Sequence, residues 1–90
     1  MRHDLRLDED AVAVIRATDA ESLVIVMLPG RDPVTEAQIR AAIGPLAIEI
    51  APRRINLVAV TDGADKDAID ALVAYLDAAE STTGQIVDVS

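Results

Sequence analysis

The sequence has no cysteine, no tryptophan and no phenylalanine, and its single aromatic residue is Tyr75. The absence of cysteine excludes disulfides, thiol nucleophiles and thiolate metal ligands, and suits a reducing compartment. Without bulky aromatics, the core of this 90-residue chain must be assembled from Leu, Ile, Val and many Ala. Such small side chains let helices approach one another closely, within one chain or between chains. Cations are also scarce: eight Lys and Arg against sixteen Asp and Glu give a formal charge of −8. That balance argues against nucleic acid and anionic membrane as partners, because phosphate attracts clustered cations. The uncharged apolar run Leu23 to Pro29 falls far short of the roughly 20 residues of a membrane-spanning helix. The opening MRHDLRLDED lacks the apolar stretch of a secretory signal, so the expectation is a soluble, cytoplasmic domain. At this length a chain buries roughly 60–70% of its unfolded surface, enough for one modest core.

What is present reads as alternating strands and helices. Residues Arg2 to Leu7 alternate with period two, as in an edge strand with one wet face. Asp8 is expected to cap a short first helix, with Glu9 and Asp10 in its first turn near the positive end of the helix dipole. Ser22 to Leu28 is apolar on both faces and belongs in the middle of a sheet. Pro29-Gly30 closes it, and Asp32-Pro33 opens a long helix running to about Ala51. Ile39, Ala42, Ile43, Leu46 and Ile50 form one stripe of that helix, while Ala37, Ala41 and Ile48 lie elsewhere. A helix apolar in several directions is expected to touch more than its own sheet. Pro45 removes a hydrogen bond to the carbonyl of Ala41, predicting a kink or two abutting helices. Ile55 to Val60 is a third strand, again apolar on both faces. Asp62 or Asp65 caps a helix carrying Ile69, Leu72, Val73 and Leu76, and Gln85 to Val89 is a final edge strand.

This β-α-β-α-β-α-β pattern predicts an α/β domain with a small four-stranded parallel sheet of order 1-2-3-4 and three helices. Successive right-handed crossovers advancing in one direction put the helices mainly on one face, with all three expected there. The opposite face would then be bare, and covering it would require a homo-oligomer, most simply a dimer, or a hetero-complex.

Residues 45–63, PLAIEIAPRRINLVAVTDG, resemble the short-chain dehydrogenase/reductase family. Its members carry an ALAIELAPRGIRVNAVAPG-like run from a helix into the sixth strand of a Rossmann sheet. The closing TTGQIVDVS resembles the family's TGQ-plus-strand ending, without the glycine pair that normally follows. The resemblance implies a degenerate, truncated, C-terminal half of a Rossmann domain spanning residues 1–90. It also implies a long helix that packs against its symmetry mate, which makes Ile39, Ile43 and Ile48 the interface candidates, the contact falling to whichever of them faces away from the sheet.

The family's functional residues do not carry over. There is no glycine-rich turn to approach a dinucleotide pyrophosphate. The Y-x-x-x-K pair falls on Asp32 and Glu36; the first cannot serve as the phenol acid, and the second reverses the charge that lowers the phenol's pKa. The strand ending at Leu28 leaves no loop for the catalytic serine. The family asparagine falls on Val58 and the proline of its P-G turn on Asp62; only Gly63 is retained. Asp62 and Gly63 are thus the only family-position candidates for cofactor contact, and no catalytic residue and no metal ligand is assigned.

Other clusters have plainer readings. Arg31, Asp32, Asp62, Asp65, Lys66 and Asp67 should gather at the carboxyl edge of the central strands, where open α/β sheets bind ligands. A magnesium or phosphate site is conceivable there, yet Asp32 and Asp65 read as helix caps and Asp67 as a first-turn acid. DGADKD lacks the spacing of a calcium loop. His3, the only histidine, has no designated partner and reads as a surface residue, Tyr75 as a packing or surface contact, and Arg53-Arg54 as a basic turn. The reading is a catalytically inactive pseudoenzyme serving as an assembly or interaction module, with no cofactor expected. The alternative is a subunit of a NAD(P)-dependent oxidoreductase completed by another chain that brings NAD(P) with it. A weaker one is a small acidic metal- or phosphate-binding protein.

Overall fold

A computed structural model describes all of residues 1–90. The elements follow as β1 (Arg2–Leu5), α1 (Ala11–Ala17), β2 (Ser22–Met27), α2 (Pro33–Glu49), β3 (Arg54–Val60), α3 (Lys66–Ala78) and β4 (Ile86–Val89). The strands form one four-stranded parallel sheet of order β1-β2-β3-β4, as the alternation of elements predicts. Both central strands are buried along nearly their whole length, and the edge strands are only four residues long.

The helices divide between the faces. On one, α1 and α2 bury Ile15, Ile39, Ile43 and Leu46 against Leu23, Ile25, Ile55 and Leu57. On the other, α3 buries Ile69, Val73 and Leu76 against Val24, Val26, Val58 and Val60. Two helices share a face, but the other face is covered, so the bare sheet that would have demanded a partner does not exist. The crossover from β3 to β4 therefore has the opposite hand to the two before it. With those right-handed, as strand twist favours, this one is left-handed. The physical reason lies in the four valines. They point away from α1 and α2, and only a helix on their own side can bury them. At ~25 cal/mol per Å² of apolar surface, that burial outweighs a twist preference.

Local chemistry moves some boundaries. Asp10, not Asp8, caps α1: its Oδ1 accepts from the backbone N–H of Val12 at 3.0 Å and of Ala13 at 3.4 Å. Glu9 is not a first-turn acid; it folds back to accept from the Arg6 N–H at 2.8 Å. That turn ends β1 at Leu5. Helix α2 runs unbroken through Pro45, so the alternative of two abutting helices is not realised. Pro45 and Ala41 both lie on the exposed side, where water can reach the carbonyl that the proline leaves unpaired.

The basic turn holds two layers at once. Successive strand residues point to opposite faces. Accordingly, Arg53 donates to the carbonyl of Thr18 at the end of α1, and Arg54 to that of Ala79 at the end of α3, at 2.5 Å. Each cation meets the negative end of a helix dipole.

Candidate functional site

Because α2 and α3 leave the neighbouring strands β2 and β3 toward opposite faces, their connections diverge at the carboxyl edge of the sheet. Such divergence is where open α/β sheets form a ligand crevice. The exits are Leu28 to Asp32 and Thr61 to Asp65. Gly30 and Gly63 adopt φ of 107° and 83°, a conformation only glycine takes without strain.

Four of the six charged residues that the sequence gathers at this edge, Arg31, Asp32, Asp65 and Lys66, have side-chain partners within the fold. Arg31 donates to the carbonyls of Leu28 at 2.8 Å and of Leu5 and Arg6 at 2.9 Å, tying the end of β1 to the turn after β2. Asp32 caps α2 through the Thr35 N–H at 3.2 Å and the Thr35 hydroxyl at 3.3 Å. Asp65 caps α3 through the Asp67 N–H at 3.4 Å. Lys66 reaches Asp70 at 2.7 Å, one turn along the same helix. Asp62 is exposed in the turn. No group of three or more His, Asp or Glu side chains is placed to hold a metal ion.

The positions that would carry family chemistry are engaged in the same way. Glu36 lies 3.8 Å from Arg40, which also binds Asp88 of β4 at 2.5 Å. Arg40 in turn holds the Asp88 carboxyl below the usual carboxylate range. The connection after β1, Arg6 to Asp10, contains no glycine and three acids, Asp8, Glu9 and Asp10. A dinucleotide pyrophosphate needs close backbone approach and positive potential. The connection after β1 offers neither.

The remaining candidates separate. His3 is half-buried rather than on the surface, its Nε2 3.1 Å from both oxygens of Glu9. The backbone hydrogen bond from Arg6, and after it the His3 contact, hold the Glu9 carboxyl below its ordinary value. Tyr75 is exposed on the outer face of α3. A notch of about 330 Å³ between the starts of α1 and α2 is walled by Glu9 and Asp10, both already bonded as described. A second, of about 340 Å³, lies at the opposite edge beside Arg53 and Arg54. Ile39 and Ile43 are 8% and 0% exposed and belong to the core; Ile48 is 81% exposed and faces outward.

One residue escaped sequence reasoning. Asn56, fully buried, donates from Nδ2 to the carbonyl of Thr82 at 3.0 Å and accepts at Oδ1 from the Gln85 N–H at 3.1 Å. Thr83 Oγ1 accepts from the Ile55 N–H at 3.1 Å, and the Gly84 N–H donates to the Ile55 carbonyl at 2.7 Å. The TTGQ segment thus clips β4 onto β3. A lone polar residue inside an apolar strand was the available signal.

Fold and clip together define a parallel α/β sheet of Rossmann type, with two helices on one face and one on the other. The model of the family of short chain dehydrogenase-like proteins matches residues 5–89, and the chain belongs to that family. Neither the curated proteins nor the solved structures provide a match.

Proposed function

We propose that this chain is a non-catalytic member of its family that acts as an assembly module through the outer face of α2. The observation that carries the reading is what occupies the positions of the family's acid and lysine. Asp32 and Glu36 both serve α2 itself, one as its cap and the other beside Arg40. Neither is a phenol or a cation. The same helix presents Val34, Ala37, Ala41, Gly44, Pro45 and Ile48 to solvent, with Val34 63% and Ile48 81% exposed. The outward line of a surface helix is ordinarily polar; here it holds no charge.

The alternative, an oxidoreductase completed by another chain, places the missing strands against the open edge of β1. Such a chain could bring a glycine-rich turn. It could not replace Asp32 and Glu36, which stand in this half of the fold. The metal- or phosphate-binding reading is the weakest of the three, because two of the aspartates it used, Asp32 and Asp65, serve as helix caps.

Calorimetric titration of the purified chain with NADPH and NADH tests the reading. No heat of binding is expected up to millimolar nucleotide, and ketone reduction stays at background. Micromolar binding would overturn it in favour of the oxidoreductase.

A further inference from the structure

β1 has β2 on one side and no strand on the other. Along a parallel strand, alternate residues turn their backbone groups toward a given neighbour. Here the Val24 N–H donates to the Met1 carbonyl at 2.8 Å, and the register sets Arg2 beside Val24 and Asp4 beside Val26. Met1, His3 and Leu5 therefore bond toward β2, while the N–H and C=O of Arg2 and Asp4 point outward. The next outward residue, Arg6, is already engaged. Its N–H donates to Glu9 at 2.8 Å, and its carbonyl accepts from the Glu9 N–H at 3.1 Å and from Arg31 at 2.9 Å. The free bonding edge is thus Arg2 and Asp4 alone, with His3 at its centre.

We propose that a second copy of this chain closes that edge, β1 against β1, antiparallel, about a two-fold axis at His3. The contact is separate from the outer face of α2 and does not depend on it. In this register Arg2 of each copy lies opposite Asp4 of the other, and each such pair exchanges both of its backbone hydrogen bonds. Every outward N–H and C=O of the edge then has a partner, and none is left over. The side chains fit the same register. Arg2 and Asp4 stand on the α3 face, level with Val24 and Val26, so a cation meets a carboxylate in each pair. Arg2 reaches its own Asp4 through Nε at 2.7 Å and Asp70 through Nη1 at 2.6 Å, which leaves Nη2 for the carboxylate of the second copy. Parallel pairing in register would set Arg2 against Arg2 and Asp4 against Asp4, and like charges directly opposite are destabilising. On the other face, each His3 arrives with its own Glu9 at 3.1 Å. Each chain carries −8, yet the two residues that meet sum to zero. A short, charged edge resists indiscriminate pairing, and the same charges admit the matching copy. With so few bonds the dimer exchanges rapidly.

Charge reversal tests the register. Arg2→Asp gives an edge of two carboxylates and Asp4→Arg an edge of two guanidiniums, so each variant repels its own copy. Mixed in equal amounts they are complementary at both pairs, and sedimentation should show association at least about tenfold stronger than in either alone. A folding defect cannot produce that gain, and circular dichroism checks that each variant folds. Cross-linking tests the axis, since the chain has no cysteine of its own to interfere. His3→Cys sets two Cβ atoms about 4.5–5.5 Å apart across the axis and should oxidise to a disulfide dimer. Leu7→Cys, at a position 66% exposed but beyond the paired stretch, should not. A mixture that associates no more than its components would overturn the pairing. So would His3→Cys dimers forming no faster than Leu7→Cys dimers, the result expected of copies that meet only through α2. An unmodified chain that stays monomeric at millimolar concentration would overturn the second copy altogether.

Discussion

Asn56 shows how one side chain can hold an edge strand. The backbone of the TTGQ segment must bond to something as it turns into β4, and the buried amide supplies a donor and an acceptor together. Replacing it by leucine keeps the branching, with bulkier methyl groups, but strands the Thr82 carbonyl and the Gln85 N–H. Both groups are only partly buried, so each is expected to cost toward the low end of the ~1–3 kcal/mol of a buried group left unpaired. Asn56→Leu is therefore expected to lose about 2–4 kcal/mol in urea unfolding, with the added movement confined to residues 82–89 in amide spectra. A loss under 0.5 kcal/mol would show that the clip does not depend on Asn56. Asp32 and Glu36 teach the complementary lesson. Their types alone speak against the family chemistry, and their geometry supplies what they do instead.

At the scale of elements, ion pairs tie each helix to a neighbour: Arg16 to Glu49 between α1 and α2, Arg40 to Asp88 between α2 and β4, and Arg2 to Asp70 between β1 and α3. The carboxyls of Glu49, Asp88 and Asp70 are all held below their ordinary values. The hydrogen bond from Arg16 is the main cause for the first, that from Arg40 for the second, and for the third that from Lys66 and then Arg2. A depressed folded-state pKa contributes stability that is present above the unfolded value and lost as pH falls through the folded one. The melting temperature should thus be nearly flat from pH 8 to about 5 and fall below about pH 4, where free carboxylates protonate. Because these pairs are exposed, each contributes little, and 1 M salt should shrink the acid-side slope. A melting temperature that rises on acidification would contradict the assignment.

The molecule as a whole is two unequal layers on one sheet. Fourteen buried residues join α1 and α2 to it, but only seven join α3. Regions with fewer buried apolar contacts open at lower free energy. In native-state hydrogen exchange, the amides of α3 are expected to exchange before those of α2, β2 and β3. Protection of α3 equal to that of the central strands would mean that the two layers open as one.

Periodicity by itself determined the seven elements, the parallel order and the two apolar central strands, because side-chain alternation and helical spacing are local facts. The resemblance to the family, not periodicity, puts Asp32 and Glu36 at the positions of its acid and its lysine, and both differ in kind from those residues. Local pattern reached less far at Asp8 and Asp10: two acids near one helix start are equivalent in sequence, and only the N–H groups each can reach distinguish them. Only the tertiary structure decided where α3 lies. An amphipathic helix is satisfied by any apolar surface, and the choice fell to Val24, Val26, Val58 and Val60, which are one face only once β2 and β3 are paired. The same holds for α2. Ile39, Ile43 and Ile48 are alike in sequence; packing against the sheet buries the first two and leaves Ile48 facing out, because a helix turns one side to its core and the other to whatever lies beyond.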